Sequence, residues 1–160
     1  MAFTIRDATL DDLPAVGKLA GALVRMHRDY DARRWMCPDG VEEGYARYFA
    51  SQLGQAGTII LVAEDEATKA IVGYTYAGRE DRNWMELREA CGKLHDLFVI
   101  EAARRQGIGA TLIREAIRRL RALGETQLVF TSAWPNTVIR DVMGAMGFRP
   151  TSVEMTMDVG

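Results

Sequence analysis

Residues 104–110 read Arg104-Arg105-Gln106-Gly107-Ile108-Gly109-Ala110, a stretch whose composition suits an anion. Glycines at 107 and 109 remove Cβ atoms, so consecutive backbone N–H groups can approach one diphosphate, and at a helix N-terminus the dipole adds partial positive charge. Arg104 and Arg105 add full charges beside them. The plainer alternative is a glycine-containing turn that only starts a helix. A dinucleotide fingerprint fits poorly because its third glycine position is Leu112, and no Gly-Lys-Ser/Thr follows as a nucleoside-triphosphate loop requires.

His95 is the second residue able to do chemistry. An imidazole with a reference pKa of about 6.5 can take up a proton near neutrality. With 94–100 read as a strand, alternation places His95 on the side of Leu97, together with Lys93, and turns Asp96 the other way. A histidine satisfied by a backbone group at the sheet surface is equally consistent with these residues. His27 falls in a long helical stretch, where it is either a substrate contact or a packing residue. Cys37 and Cys91 form neither a CxxC pair nor a ligand cluster, so no metal site is expected; a lone pair of thiols suits a reducing, cytoplasmic compartment.

Periodicity supplies the elements that must position these groups. Residues 3–6 alternate as a strand, and Thr9-Leu10-Asp11-Asp12 supplies a cap and first-turn acids for a helix over 11–30. Its apolar positions Leu13, Val16, Ala20, Leu23 and Val24 recur every three to four residues, and Pro14 falls early enough to be tolerated. A turn at 37–40 leads to a helix over 41–53 bearing Tyr45, Tyr48 and Phe49. Residues 58–63 and 70–76 are apolar and β-branched about a polar link, which reads as a hairpin. A short helix over 84–90, a strand over 94–100, a helix over 107–123 closed by Gly124, a strand over 126–132, a helix over 136–146 and a final strand region over 148–159 complete the order β-α-α-β-β-β-α-β-α-β. Such an order packs as an α/β (α+β) mixed sheet flanked by helices.

Length and charge narrow the class. A chain of 160 residues, 48% hydrophobic and 26% charged, is one domain over 1–160. A net charge of −2 opposes a generic nucleic-acid binder, and Arg114, Arg118, Arg119 and Arg121 read as a solvated helix face. The first residues lack the apolar core of a signal peptide, and the longest apolar run, 59–63, cannot span a bilayer, so no membrane partner is expected.

Leu97-Phe98-Val99, four further residues, the 104–110 loop, an amphipathic helix, Asn136 and Gly147-Phe148 together resemble the GNAT superfamily of N-acetyltransferases. The order of elements agrees over nearly the whole chain, and Arg104-x-x-Gly107-x-Gly109 is similar to the family's Q/R-x-x-G-x-G/A acetyl-CoA loop. The resemblance implies a mostly antiparallel central sheet, acetyl-CoA (coenzyme A) as cofactor, and Arg104, Arg105, Gln106, Gly107, Ile108, Gly109 and Ala110 as its cradle. It implies that Leu97, Phe98 and Val99 offer backbone groups to the pantetheine arm and thioester carbonyl. Asn136 matches the asparagine that hydrogen-bonds the pantetheine chain, though its residue type alone suits an N-cap as well. Lys93-Leu94-His95 is similar to the strand of serotonin N-acetyltransferase, in which a histidine assists deprotonation, whereas other members use a glutamate on this strand or a water chain.

One position departs from the pattern. Where many members carry a tyrosine that protonates the departing sulfur, seven residues after the asparagine, this chain has Met143, which has no proton to give. A thiol with a pKa of about 8.5 is already a fair leaving group, and Tyr74, Tyr76 or ordered water are substitutes for the acid. The implied function is transfer of an acetyl group from acetyl-CoA to a primary amine of a small molecule or peptide by direct attack. Met143 keeps open the alternative of an acyl-CoA-binding or sensor domain without turnover. The acceptor-side candidates are His27, Tyr30, Tyr76 and Glu86, and a homodimer is a further expectation from the family.

Overall fold

In the computed structural model, which describes residues 2–160, the chain enters as Phe3–Asp7 (β1) and passes through one 3-10 turn into Leu13–Tyr30 (α1). Asp12 organises that turn. Its Oδ2 accepts from the Thr9 amide at 2.7 Å and the Thr9 hydroxyl at 2.9 Å, while the Arg6 guanidinium donates to its two oxygens at 2.7 and 2.9 Å. Hydrogen bonding from Arg6, joined by the Thr9 donors against the cost of burial, lowers the Asp12 pKa to about 2. A carboxylate with a depressed folded pKa stabilises above its unfolded value and loses that contribution as pH falls through the folded one. Asp12→Ala is therefore expected to cost ~2 kcal/mol at neutral pH. Urea melts of the two proteins should converge as pH falls from the unfolded value of 3.8 toward about 2; a gap that persists there would show that the loss is packing alone.

Val41–Gln52 (α2) lies close against α1. Glycine permits the approach: a Cβ at Gly17 would sit 2.5 Å from the Glu42 carbonyl oxygen, and one at Gly21 would sit 2.6 Å from Glu42 Cγ. The β-branched runs then form Thr58–Asp65 (β2) and Ile71–Glu80 (β3), followed by Cys91–Val99 (β4), Ile108–Ala122 (α3), Leu128–Phe130 (β5) and Thr137–Ala145 (α4). The five strands lie in the order β1-β2-β3-β4-β5. All neighbours are antiparallel except β4 and β5, which are parallel across the α3 crossover. Alternation along β2 splits the core: Ile59 and Leu61 join Leu112, Ala116 and Leu120 of α3, whereas Ile60 and Val62 join Val16, Leu19 and Phe49 of α1 and α2. The expected mixed, mostly antiparallel sheet with helices on both faces is what the chain adopts.

Three local expectations give way. Residues 84–90 form no helix; Asn83 Oδ1 accepts from the Met85 and Glu86 amides at 3.0 and 3.2 Å, and Asn83 bridges to Arg88, so an Asx-type turn closes the β3–β4 connection. The strand expected over 126–132 is only three residues long because its pairing with β4 stops at Leu94–Phe130. Beyond α4 there is no strand: Val153, Met155, Met157 and Val159 alternate but stay exposed, and the segment is tied instead by Glu154 to Arg34 and by Asp158 to Arg33. Alternation supports a strand only where a neighbour covers one face.

Two irregularities of β4 position the site. Tyr76 is paired with Asp96 and Ala77 with Leu94, which leaves His95 as the extra residue of a β-bulge. On the other edge, β4 and β5 pair only from Gly92–Leu128 to Leu94–Phe130, so the strands part before residues 95–99.

Candidate active site

The end of β4 passes through a 3-10 turn at Glu101–Ala103 into the glycine loop and α3. Arg105 and Gly107 take left-handed backbone with φ of 61° and 81°, a conformation glycine adopts at no steric cost and other residues adopt under strain. Among the described residues, the backbone amides of Arg105 to Ala110 find no acceptor in the chain; the first to do so is Thr111, which donates to the Gly107 carbonyl at 2.9 Å. A Cβ at Gly107 would meet nothing within 4 Å, and one at Gly109 would touch only Leu97 and Val99 side chains at 3.7 and 3.8 Å. A run of unused amides at an unobstructed helix N-terminus fits a diphosphate.

The named loop residues divide by task. Ile108 is buried and anchors α3 in the core, so its amide is what it can offer. Arg104 folds back on β4, where its Nε donates to the Val99 carbonyl at 3.0 Å and its guanidinium lies 5.6 Å from the Phe98 ring centroid. Gln106 Nε2 donates to the Ala102 carbonyl at 3.4 Å. Leu97 and Val99 turn their side chains to the α3 face and Phe98 to the α1 and α2 face, so the backbone edge freed by the departure of β5 is the part a ligand can use.

Asn136 is the N-cap of α4, its Oδ1 accepting from the Ile139 amide at 3.3 Å. The cap leaves its Nδ2 free to donate. Met143 is 3% exposed and packs in the α3-side core. Its place is in the packing and not on the open side of the loop.

The bulge corrects the expected orientation of β4. His95 stacks on Tyr76 with ring centroids 4.9 Å apart, while Asp96 Oδ2 accepts from the Tyr74 hydroxyl at 3.1 Å. Tyr74 and Tyr76 both belong to the α1 and α2 side, so consecutive residues 95 and 96 share that face and His95 lies opposite Leu97. Tyr76 in turn meets the Tyr48 hydroxyl at 2.9 Å.

Glu80, which sequence reasoning did not single out, holds the imidazole from the side. Its Oε1 is 3.4 Å from His95 Nε2 and 3.5 Å from Lys93 Nζ, and its Oε2 accepts from Arg88 Nη2 at 2.7 Å. Burial lowers the His95 pKa, Glu80 works against that shift and Lys93 adds to it. The imidazole is therefore neutral at pH 7, with Glu80 favouring the proton on Nε2 and leaving the Nδ1 lone pair free.

The remaining acceptor-side residues fall into two places. His27 Nδ1 lies 2.8 Å from the Leu23 carbonyl, which favours the proton on that nitrogen, and its ring meets Trp35 and Tyr30 edge-on at 4.7 and 6.1 Å. Glu86 stands apart, on the exposed turn, in an ion pair with Arg88 at 3.1 Å. The structure thus brings Tyr76 to His95 and leaves Glu86 out of that group.

The amino-acid pattern and this geometry meet in the comparisons with known proteins. The model of the acetyltransferase (GNAT) family matches residues 24–148, which include the glycine loop, the bulged strand and both later helices. The chain belongs to the acetyltransferase (GNAT) family. No curated protein matches it. Among solved structures, a tetramutant of a Bacillus halodurans protein is 18% identical with a TM-score of 0.83, covering 98% of this chain and 99% of that one. A predicted acetyltransferase with acetyl-CoA from Clostridium acetobutylicum is 13% identical with a TM-score of 0.74, covering 98% and 96%. Glucosamine-6-phosphate N-acetyltransferase from Arabidopsis thaliana is 17% identical with a TM-score of 0.71, covering 100% of both chains. Likeness at these identities establishes the fold.

Acetyl transfer is the activity of the GNAT family, and acetyl-CoA is its donor. In this acetyltransferase the residues that fit the donor are the amides of 105–110, the free backbone edge of 95–99 and the Asn136 amide. His95 stands on the same strand, at the point where β4 leaves β5.

Proposed function

We propose that this protein is an N-acetyltransferase that moves the acetyl group of acetyl-CoA to a primary amine of a small molecule or peptide. The observation that carries the reading is the bulge at His95, which turns a neutral imidazole to the α1 and α2 face, next to the stretch where β4 has left β5. The donor supplies the acyl carbon, at which the C–N bond forms as the C–S bond breaks; coenzyme A leaves as a thiolate and takes up the second proton that the nitrogen sheds as the amide forms. An acceptor amine arrives mostly protonated, with a reference pKa near about 10.4, and must lose a proton before it can attack. His95 Nδ1 receives that proton, and Glu80 steadies the resulting imidazolium at Nε2. Tyr76, whose pKa is pushed well up by burial and by its bond to Tyr48, keeps its hydroxyl proton and stacks on the imidazole.

Thiol release from acetyl-CoA across a panel of alkyl amines and peptide amines tests the reading. Turnover with at least one amine is expected. Tight coenzyme A binding without release for any of them would overturn it and favour a binding or sensor domain, the reading to which the buried Met143 lends support because it leaves the usual acid position without a proton donor.

Glu80 gives a separable prediction. The charged groups facing His95 are Glu80 from β3, backed by Arg88, and Lys93 on its own strand. Glu80→Gln removes the charge that raises the His95 pKa, so the acidic limb of kcat/KM should move to lower pH while kcat falls about tenfold. Lys93→Gln removes a charge that lowers it, and the limb should move to higher pH. Titration of kcat/KM in both variants is the check, and limbs that stay in place would separate Glu80 from the chemistry.

A further inference from the structure

We infer that Asp96 is the group that recognises the positive charge of the acceptor, binding its ammonium on the α1 and α2 face beside His95. This rests on the amine reading above. Other buried or partly buried carboxylates of the fold are matched by arginine or by backbone amides: Asp12 and Glu64 by Arg6, Glu80 by Arg88, Glu115 by Arg119, and Asp65 by the amides of Ala67 and Thr68. Asp96 is different. Among the described residues its carboxylate accepts one hydrogen bond, the 3.1 Å contact from the Tyr74 hydroxyl, and makes no ion pair. A partly buried carboxylate with a phenol for its only partner is held at a cost that an incoming cation relieves.

The surroundings select an organic cation. Tyr74, Tyr45 and Tyr76 all feel the Asp96 charge, which adds to burial in raising their pKa, that of Tyr45 to about 12. These phenols therefore stay protonated; burial pushes the Asp96 pKa up, and the Tyr74 hydrogen bond and His27 of α1 work against that shift. A carboxylate beside aromatic rings satisfies both the charge and the apolar body of an alkylammonium. The bulge makes the placement useful, since Asp96 and His95 are consecutive on one face. An ammonium hydrogen-bonded to Asp96 lies next to the imidazole that takes its proton, and the freed lone pair is then available for attack. Proton and charge balance: the ammonium loses one proton, His95 gains it, and Asp96 stays ionised.

The test compares wild type with Asp96→Asn on butylamine, which is protonated at neutral pH, and on aniline, which is not. Asparagine keeps the acceptor for the Tyr74 hydroxyl. For the variant, kcat/KM on butylamine should fall at least about tenfold, mainly through KM, as loss of one charge-assisted hydrogen bond implies. The values for aniline and the KM for acetyl-CoA should stay within about twofold, and Tm should equal or exceed that of wild type because an unpaired charge is gone. Tyr74→Phe retains the carboxylate and should retain the preference for butylamine. Equal losses on both acceptors, no loss on either, or a lowered Tm would assign Asp96 to structure and overturn the inference. Where another alkyl amine of the panel above is the better substrate it takes the place of butylamine, and a wild type that releases thiol with no amine of that panel would instead overturn the acetyltransferase reading itself.

Discussion

Gly107→Val is expected to raise the KM for acetyl-CoA by tenfold or more and to weaken coenzyme A binding measured by calorimetry in parallel. Two effects act together. Gly107 holds φ of 81°, where a β-branched residue is strained by roughly 1–3 kcal/mol, and relief of that strain must move the amides on either side. The new side chain would also project into the open space over the loop, where no protein atom lies within 4 Å and where a diphosphate would sit. Gly109→Ala is the internal control. Its backbone is not left-handed, and the added Cβ would make ordinary contacts with Leu97 and Val99 at 3.7 and 3.8 Å, so a change of KM within about threefold is expected from such a tolerated contact. If Gly107→Val binds coenzyme A as tightly as wild type while retaining its Tm, the cradle lies elsewhere.

The parts of the fold that were legible in the sequence are those where one local force dominates. Gly107 and Gly109 between a strand and an amphipathic stripe, Pro14 at the start of a long helix, and the β-branched runs that became β2 and β3 each state their geometry in a few residues. The C-terminal segment failed for the opposite reason. Its alternation over 153–159 is regular, yet a strand needs a neighbour, and β5 is three residues long. Residues 84–90 were misread because Asn83 satisfies the Met85 and Glu86 amides as it would at a helix start, but Leu87 then takes left-handed backbone with φ of 51° and Asn83 pairs with Arg88, so the chain closes a turn in place of a helix.

The candidate site was half legible. Residue types pointed to His95 and the loop as candidates, and the family pattern to the strand, but alternation placed His95 on the wrong face. A bulge is a register event between two strands, and nothing within Lys93 to Val99 announces it; the signal lies in how Tyr76 and Ala77 pair. Glu80 and Asp96 were missed for the same reason. Glu80 is fifteen residues from His95 in sequence and reaches it only through the β3–β4 register, and Asp96 was assigned to the opposite face by the period-two rule that the bulge breaks.

His95→Ala is expected to lower kcat on an amine acceptor by about 10² to 10⁴, the range for loss of a positioned base, with the KM for acetyl-CoA little changed. The sign of the pH dependence follows from the environment. Burial lowers the His95 pKa from its ordinary 6.5 and Lys93 lowers it further, outweighing Glu80, so the base form is the populated one at neutral pH. In wild type the acidic limb of kcat/KM should accordingly fall below pH 6.5, since activity is lost only when the imidazole becomes protonated. In the alanine variant the break below pH 6.5 should disappear, and the residual rate should rise steadily with pH as the fraction of free amine rises. A stacked histidine that served only to pack against Tyr76 would behave otherwise: His95→Ala would lower Tm and reduce activity by the same factor at every pH. His95→Gln separates the two cases further, because it fills much of the space of the ring yet offers no basic nitrogen. Loss of turnover in both variants with a retained Tm in the glutamine one identifies proton uptake, and not ring packing, as what the bulge at residue 95 provides.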